Sequence, residues 1–211
     1  MKIIIPARGG SKRIPKKNLV DLNGKPLIYY SIMESLKVTN NVYVSTEDVE
    51  IKNVAKKYGA IVLNRPEKLS TDYSKTEDVV EHFLEEIDID GNNLFCVVQP
   101  TSPLLKSKYL RDGFDLMKYK FDSVISVSEE RGYYWDSNSK PINFELGNRK
   151  RTQDHEVWFK ENGAFYITTK DKFLENNILQ NGYVGFIKMK QKDSIDIDDY
   201  EDLELVRRMM L

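Results

Sequence analysis

Short apolar runs alternate with helical patterns over the first 127 residues, and this alternation limits the folds open to the chain. The apolar runs lie at residues 3–5, 42–44, 61–63, 94–98 and 123–127. The helical patterns between them cover residues 26–37, 48–58, 76–86 and 108–118. Strands separated by helices are typical of a parallel sheet with right-handed crossovers. We therefore predict an α/β fold with a mostly parallel sheet.

The sequence changes character after residue 128. Residues 129–150 are rich in Tyr, Trp, Asn, Lys and Pro without a helical period, which predicts loops or an irregular hairpin that could cover a site or meet a partner subunit. Regular patterns return as strands at 157–168 and 184–189, and as helices at 170–176 and 199–210. A chain of 211 residues fits one domain, and we predict a single domain over 1–211.

The first apolar run passes directly into a loop rich in glycine and cations. We expect Gly9 and Gly10 to adopt positive φ and to bring bare N–H groups close to a ligand. Arg8, Lys12 and Lys17 supply positive charge around the same space. A basic loop is most often a solvated surface feature, but ligands of open α/β sheets gather at the carboxyl ends of strands. The position after a buried strand therefore favours a polyphosphate site.

Several function classes are excluded by motif and composition. The loop lacks the Walker A spacing, and no Gly-x-Gly-x-x-Gly follows the first strand, so a P-loop ATPase and a nicotinamide dehydrogenase are disfavoured. Lys plus Arg (32) nearly balances Asp plus Glu (33), so no global field favours nucleic acid or an anionic membrane. No apolar stretch approaches the ~18 residues of a membrane helix, and the single cysteine, Cys96, lies in an apolar run, so we expect a cytoplasmic protein with a buried thiol.

A second chemical cluster lies near the end of the chain. Residues 194–199 alternate strictly, so in an extended segment Asp196 and Asp198 point to one face and two isoleucines point to the other. Mg²⁺ characteristically binds one or two carboxylates together with phosphate oxygens. The alternative makes Asp198 or Asp199 a helix N-cap and Asp196 a solvated residue. Combined with the cationic loop, the acidic pair predicts a metal-dependent nucleotidyl or phosphoryl transferase.

Two further segments have an open interpretation. Residues 99–103, Gln-Pro-Thr-Ser-Pro, follow a buried strand, and their prolines could stiffen a loop that presents Gln99 or could form an ordinary turn. The basic run at 149–154 could bind a substrate carboxylate or could be a solvated surface run.

Five segments, in order along nearly the whole chain, resemble one family. The opening segment resembles the Pro-Ala-Arg-Gly-Gly-Ser-Lys signature of the CMP-sialic acid synthetases, also called acylneuraminate cytidylyltransferases. The other matching segments lie at residues 65–69, 99–103, 161–166 and 194–198. The resemblance implies a Rossmann-like three-layer sandwich of the nucleotidyltransferase type, with a small protruding dimerisation element within residues 130–185. It also implies an enzyme that joins CTP to a nine-carbon 2-keto sugar acid and releases pyrophosphate.

The resemblance also implies roles for individual residues. The nucleotide would be bound by Ala7, Arg8, Gly9, Gly10, Ser11, Lys12, Asn18 and Thr76. The sugar would be bound by Gln99, Arg151, Gln153 and Tyr166. Mg²⁺ would be bound by Asp196 and Asp198, and the residues expected to act in catalysis are Arg8, Lys12, Lys17 and Asp198. The family resemblance further implies a homodimer whose protruding element reaches the sugar site of the other subunit.

The identity of the sugar stays open at the level of sequence. Thr152 stands where many members carry arginine, and Tyr133-Tyr134-Trp135 looks closer to the animal-type subgroup than to bacterial members. Neuraminic, deaminated, legionaminic and pseudaminic acids are all compatible with these differences. A second reading is a synthetase for 3-deoxy-manno-octulosonic acid or its 8-amino derivative, and a third, of a different class, is a catalytically silent nucleotide-binding subunit.

Overall fold

The computed structural model describes residues 1–148 and 150–211, and the described residues form a seven-stranded sheet and a short two-stranded ribbon. The strands are β1 (Lys2–Pro6), β2 (Asp21–Leu22), β3 (Lys25–Pro26), β4 (Val42–Thr46), β5 (Ile61–Asn64), β6 (Leu94–Val98), β7 (Ser123–Glu130), β8 (Trp158–Thr169) and β9 (Val184–Met189). The helices are α1 (Leu27–Leu36), α2 (Val49–Lys57), α3 (Thr76–Glu86), α4 (Ser107–Leu116), α5 (Lys170–Asn176) and α6 (Tyr200–Met209).

The central sheet has the order β5-β4-β1-β6-β8-β7-β9. Pairing is parallel between β5, β4, β1 and β6 and again between β7 and β9, whereas β8 runs antiparallel to both of its neighbours. The predicted α/β class with a mostly parallel sheet is therefore confirmed. The direction of β8 follows from long-range pairing that the strand's own sequence does not specify.

Helices cover both faces of the sheet, as the continuous apolar character of its strands requires. Ile3 and Ile5 of β1 pack on one face with α1, α2 and α4. Ile4 points to the other face and packs with α3 and α5. Cys96 in β6 is fully buried, and burial raises the pKa of its thiol well above the ordinary value, which agrees with the predicted core role.

The C-terminal helix ties the end of the chain to its beginning. Asp199 caps α6 by accepting hydrogen bonds from the backbone N–H groups of Glu201 and Asp202, so the N-cap alternative describes Asp199 correctly. Below α6 lies a small apolar cluster formed by Ile14, Leu22, Leu27, Ile197, Leu203 and Val206. This packing places the acidic segment around residue 196 beside the loop that follows β1.

The β7–β8 connection, residues 131–157, lies outside the main sheet. Residues 127–130 of β7 pair with residues 158–161 of β8, and isolated bridges join Trp135 to Pro141 and Glu145 to Asn148. This is the irregular hairpin that the sequence predicts. Residues 165–169 of β8 pair with β6, and residues 166–168 also pair with β7, in the central sheet. The segment outside the sheet lies within the range 130–185, where we expect a protruding element. Over the described part of the chain, no helix has the length and apolar character to cross a membrane.

Candidate active site

A cavity of about 480 Å³ opens at the carboxyl ends of β1 and β6. The loop after β1, the residues after β6, the start of α3 and the segment 65–75 form its walls. Of the predicted site residues, those that line the cavity are Arg8, Ser11, Lys12, Lys17, Asn18, Thr76 and Gln99. The fold therefore brings together, at one edge of the sheet, residues that are up to 91 positions apart in the sequence.

A carboxylate from the segment 65–75 contacts two of the cavity's cations. Asp72 lies 3.0 Å from Nη1 of Arg8 and 2.7 Å from Nζ of Lys12. Nη1 of Arg8 also donates a hydrogen bond to the carbonyl oxygen of Thr71 at 2.7 Å. The hydrogen bond from Lys12 lowers the pKa of Asp72, with smaller contributions from Arg8. Sequence reasoning missed Asp72, because nothing near it in the sequence indicates a partner.

The acidic C-terminal segment is attached to the same loop. Nζ of Lys17 donates to the carbonyl oxygen of Ile197 at 2.8 Å and lies 3.5 Å from Oδ1 of Asp198. Nη2 of Arg13 donates to Oδ1 of Asp198 at 2.5 Å. Asp198 does not line the cavity itself, but the two cations that it contacts, Arg13 and Lys17, both do. The structure brings together the two clusters that the sequence places at opposite ends of the chain.

Asp196 lies beside Asp198 in a segment without regular secondary structure. Ile195 and Ile197 pack into the cluster below α6, so the predicted alternation of apolar and acidic side chains holds. Burial raises the pKa of Asp196, the charge of Asp198 raises it further, and a hydrogen bond from Thr101 acts against both effects. Across the described residues, no group of three or more His, Cys, Asp or Glu side chains could hold a metal ion. The acidic cluster is thus a pair, which needs other oxygen ligands to complete a metal site.

The glycine turn differs from the sequence prediction. Neither Gly9 nor Gly10 has a positive φ, so the prediction of left-handed backbone was wrong. A Cβ on Gly9 would lie 2.6 Å from Oδ2 and 2.9 Å from Cβ of Asp48, whereas a Cβ on Gly10 would meet no atom within 4 Å. Gly9 therefore allows a close approach between the loop and the start of α2. Its N–H donates to Oε1 of Glu47 at 2.8 Å, so this N–H is not the bare group that the sequence predicts.

Ala7, which we predicted to contact the nucleotide, contributes to the packing and hydrogen bonding of the central sheet. Its side chain is fully buried, and its N–H donates to the carbonyl oxygen of Ser45 at 2.9 Å. Neither Ala7 nor the two glycines line the cavity, and their proposed contact with a nucleotide stays a prediction.

Asn18 and Arg65 are the buried polar residues of the cavity wall. Nδ2 of Asn18 donates to the carbonyl oxygen of Arg8 at 2.9 Å, whereas its buried Oδ1 has no hydrogen-bond partner among the described residues. Arg65 is 6% exposed, and its guanidinium donates to the backbone oxygen of Ser45 at 2.6 Å. Burial lowers the pKa of Arg65 to about 10, against the raising effect of the Glu47 charge. The family resemblance included Arg65 in a matching segment, but no site role was predicted for it.

The predicted sugar residues fall into two groups. Gln99 lines the cavity, whereas Tyr166 on β8 does not. Burial raises the pKa of Tyr166, and its hydroxyl donates to Oε1 of Glu161 at 2.6 Å. Arg151 and Gln153 belong instead to the β7–β8 connection, are exposed and do not line the cavity.

The basic run at 149–154 is only partly described. Nε of Arg151 donates to Asp154 at 2.8 Å, while Arg149 lies outside the described residues. The charge of Arg151 is therefore directed to its own segment and not to the cavity of the same chain.

Comparisons with known proteins identify one family of relatives. A family model described as cytidylyltransferase matches residues 2–209. N-acylneuraminate cytidylyltransferase A of Danio rerio is 37% identical over 208 residues, which cover 92% of this chain but 47% of that protein. Pseudaminic acid cytidylyltransferase of Campylobacter jejuni is 33% identical over 217 residues, covering 97% of this chain and 93% of that protein. The chain thus spans about half of the fish relative and nearly all of the bacterial one.

Solved structures with low sequence identity share the fold. A CMP:2-keto-3-deoxy-manno-octonic acid synthetase complexed with CTP matches with a TM-score of 0.73 at 16% identity, covering 99% of this chain and 97% of that one. The 4-diphosphocytidyl-2C-methyl-D-erythritol synthase of Anaerococcus prevotii matches with a TM-score of 0.69 at 12% identity, with the same coverage. Both matches agree with the predicted three-layer α/β architecture.

Proposed function

The chain belongs to the cytidylyltransferase family, and from this membership we propose that it transfers CMP from CTP to a nine-carbon 2-keto sugar acid. The relatives named above act, by their names, on N-acylneuraminate and pseudaminic acid. Both names are consistent with an acceptor of the sialic acid type. The products would be a CMP-sugar and pyrophosphate.

The observation that carries this proposal is the convergence of cations on one cavity at the carboxyl edge of the parallel strands. Arg8, Lys12, Arg13 and Lys17 all line that cavity. A triphosphate carries several negative charges, and charge-assisted hydrogen bonds from such cations are about twice as strong as neutral ones. The location is also the one where open α/β sheets bind their ligands.

Asn18 supports a nucleotide whose base carries an amino group. Its Oδ1 is buried at the cavity wall without a partner among the described residues, and an unpaired buried acceptor costs about 1–3 kcal/mol. The exocyclic amine of cytosine is a donor that could satisfy this oxygen. Thr76, at the start of α3, adds a hydroxyl to the same cavity.

The chemistry we propose is an in-line displacement at phosphorus. The anomeric hydroxyl of the sugar acid loses its proton to water as its oxygen forms a bond to the α-phosphorus of CTP. The bond from that phosphorus to the bridging oxygen breaks, and pyrophosphate leaves with the electron pair. Such transfers depend mainly on positioning and charge stabilisation. Arg8 and Lys12 would hold the phosphates that become the leaving group, and Lys17 would hold the acidic segment beside them.

The residues present fit a magnesium ion. Asp196 and Asp198 are neighbouring carboxylates, and the raised pKa of Asp196 reflects burial first and then the like charge of Asp198. Two carboxylates with phosphate oxygens and water form a ligand set that Mg²⁺ prefers. Bound there, Mg²⁺ would neutralise developing charge on the phosphates. Asp196 and Asp198 would hold it, while Thr101 and Lys17 orient the segment.

The acceptor site requires residues from two regions. Gln99 and Tyr166 would contact the sugar from the chain that holds the nucleotide. Arg151 and Gln153 lie on the exposed β7–β8 connection, and we propose that they reach the sugar bound by a second subunit of a homodimer. The dimer, the Mg²⁺ dependence and the cytoplasmic location are parts of this proposal.

A panel of acceptors tests the proposed function. The protein is incubated with CTP, Mg²⁺ and one acid at a time from N-acetylneuraminic, deaminated neuraminic, legionaminic, pseudaminic and 3-deoxy-manno-octulosonic acids, and pyrophosphate release is measured. We expect release with at least one nine-carbon acid and little with the eight-carbon acid. CTP binding without release from any acid would support a silent nucleotide-binding subunit and would contradict the proposal.

A further inference from the structure

We propose that Glu47 is a positioning residue that holds the cationic loop in register for nucleotide binding. This inference rests on the proposed function, because it concerns the same nucleotide site. Glu47 directly follows β4 and does not line the cavity, so it acts on the nucleotide only through its neighbours.

Glu47 bridges two segments that contribute to the cavity wall, the loop after β1 and the segment 65–75. Its Oε1 accepts a hydrogen bond from the backbone N–H of Gly9 at 2.8 Å, and its Oε2 accepts one from Oγ of Ser70 at 2.8 Å. The side chain is half-buried, so both bonds are partly protected from water. A carboxylate is the side chain that can accept from both loops at once without donating.

Asp72 joins the same two loops in a second place, through Arg8 and Lys12. Those two cations are the ones that we assign to the triphosphate, so a bound triphosphate competes directly with Asp72. The Glu47 bridge involves neither of those cations, and it engages the backbone N–H of Gly9, a residue that the family resemblance placed at the nucleotide. It is therefore the connection that remains when the nucleotide takes the cations, and it fixes where they point.

The charge of Glu47 also acts on Arg65, a buried residue of the cavity wall. Burial lowers the pKa of Arg65, and the charge of Glu47 opposes that effect. Behind the turn, the side chain of Asp48 occupies the space next to Gly9, so the turn is held from two sides. A small movement of this turn would displace Arg8, and displacement of about 1 Å at a reacting site can cost about a hundredfold in rate.

The substitution Glu47→Gln tests the bridge, because the amide keeps the size of the side chain but replaces one acceptor by a donor. We expect the Kd for CTP, measured by calorimetry, to rise about tenfold, as the weakening of one charge-assisted bond predicts. We expect the KM for the sugar acid to change less than twofold. The matched control is Glu50→Gln, whose carboxylate pairs with Lys16 on the exposed surface and should leave both constants unchanged.

The outcomes separate this role from a structural one and from the proposed function. A Kd for CTP equal to that of the wild type, or a melting temperature that falls while the Kd is unchanged, overturns the role of Glu47. If Glu47→Gln does not fold, Ser70→Ala removes the other end of the bridge and should raise the Kd about threefold, the effect of losing one hydrogen bond. Calorimetry measures CTP binding without turnover, so an inactive wild type would reject the proposed function while the Glu47 comparison could still be made.

Discussion

The parallel and antiparallel parts of the central sheet carry different parts of the proposed active site. The parallel half, β5-β4-β1-β6, carries the cationic cavity, and the cations and carboxylates at this cavity come from a single chain. The antiparallel part, β7 and β8 with their connection, carries Arg151 and Gln153 away from that cavity. The proposed nucleotide site therefore draws on residues that one chain gathers at one cavity, whereas the proposed acceptor site also needs residues that the chain carries away from that cavity.

Surface character supports the same distinction. The inner strands of the parallel half, β1, β4 and β6, are largely buried on both faces, whereas the β7–β8 connection exposes Trp135 (50%), Ile142 (54%) and Leu146 (72%). Several exposed apolar side chains in one short segment mark an interaction surface more often than a single one does. The connection therefore has the character expected of a segment that contacts another protein surface.

The largest effect on turnover should come from a substitution in the acidic pair, Asp196 and Asp198. Asp198→Asn removes a proposed metal ligand and weakens the contacts with Arg13 and Lys17. We expect turnover with Mg²⁺ to fall by about a hundredfold or more, since a metal supplies several kcal/mol of charge stabilisation. Steady-state pyrophosphate release measures the fall, and circular dichroism checks that the fold is retained.

A matched control for this prediction is Asp115→Asn, which makes the same chemical change on the exposed surface of α4. Its turnover should stay within twofold of the wild type. Near-normal turnover by Asp198→Asn would remove the metal role from the account and would leave Asp198 as an ion-pair partner of the loop.

A smaller effect should separate the two glycines of the cationic loop. Gly9→Ala places a Cβ 2.6 Å from Oδ2 of Asp48, so the turn must shift, and we expect the Kd for CTP to rise about tenfold. Gly10→Ala meets no neighbouring atom within 4 Å and should change the Kd by less than twofold. Calorimetric titration of both variants with CTP measures the difference. Equal effects from the two substitutions would show that the close approach to Asp48 does not position the loop.

The smallest effect on CTP binding should come from a substitution of Asp72. This substitution should strengthen the binding of CTP, whereas the substitutions above weaken binding or turnover. Asp72→Asn weakens the ion pairs with Arg8 and Lys12, which leaves both cations free for phosphate. All three side chains are partly exposed, so the competing ion pairs are weak, each about 0–1 kcal/mol. We expect CTP to bind a few-fold more tightly at low salt, and the difference to shrink as salt screens the charges. Weaker CTP binding by this variant would mean that Asp72 orients the cations instead of competing for them.

The sequence predicted local features well and distant partnerships poorly. The bounds of β6 and α3 were predicted correctly, because an apolar run and an amphipathic period are written into neighbouring residues. The antiparallel direction of β8 was not predicted, because it depends on pairing with β6 some 70 positions away.

Within the site, the same limit applies. The cationic loop and the acidic pair were found because each is a contiguous motif. Asp72 and Glu47 were missed, because their contacts with Arg8 and Gly9 join residues 64 and 38 positions apart. The positive φ expected at Gly9 was wrong, and the close approach of its backbone to the side chain of Asp48 cannot be read from the local sequence.

The arrangement that we propose is a dimer in which one chain completes the nucleotide site and a second chain completes the acceptor site. It is tested most directly by mixing two inactive variants, Arg8→Ala and Arg151→Ala, under conditions that exchange subunits. In a symmetric dimer, half of the mixed population would be heterodimers, and each heterodimer would contain one site with both wild-type residues. We expect recovery of about one quarter of the wild-type pyrophosphate release. Activity no greater than the sum of the separate variants would contradict it.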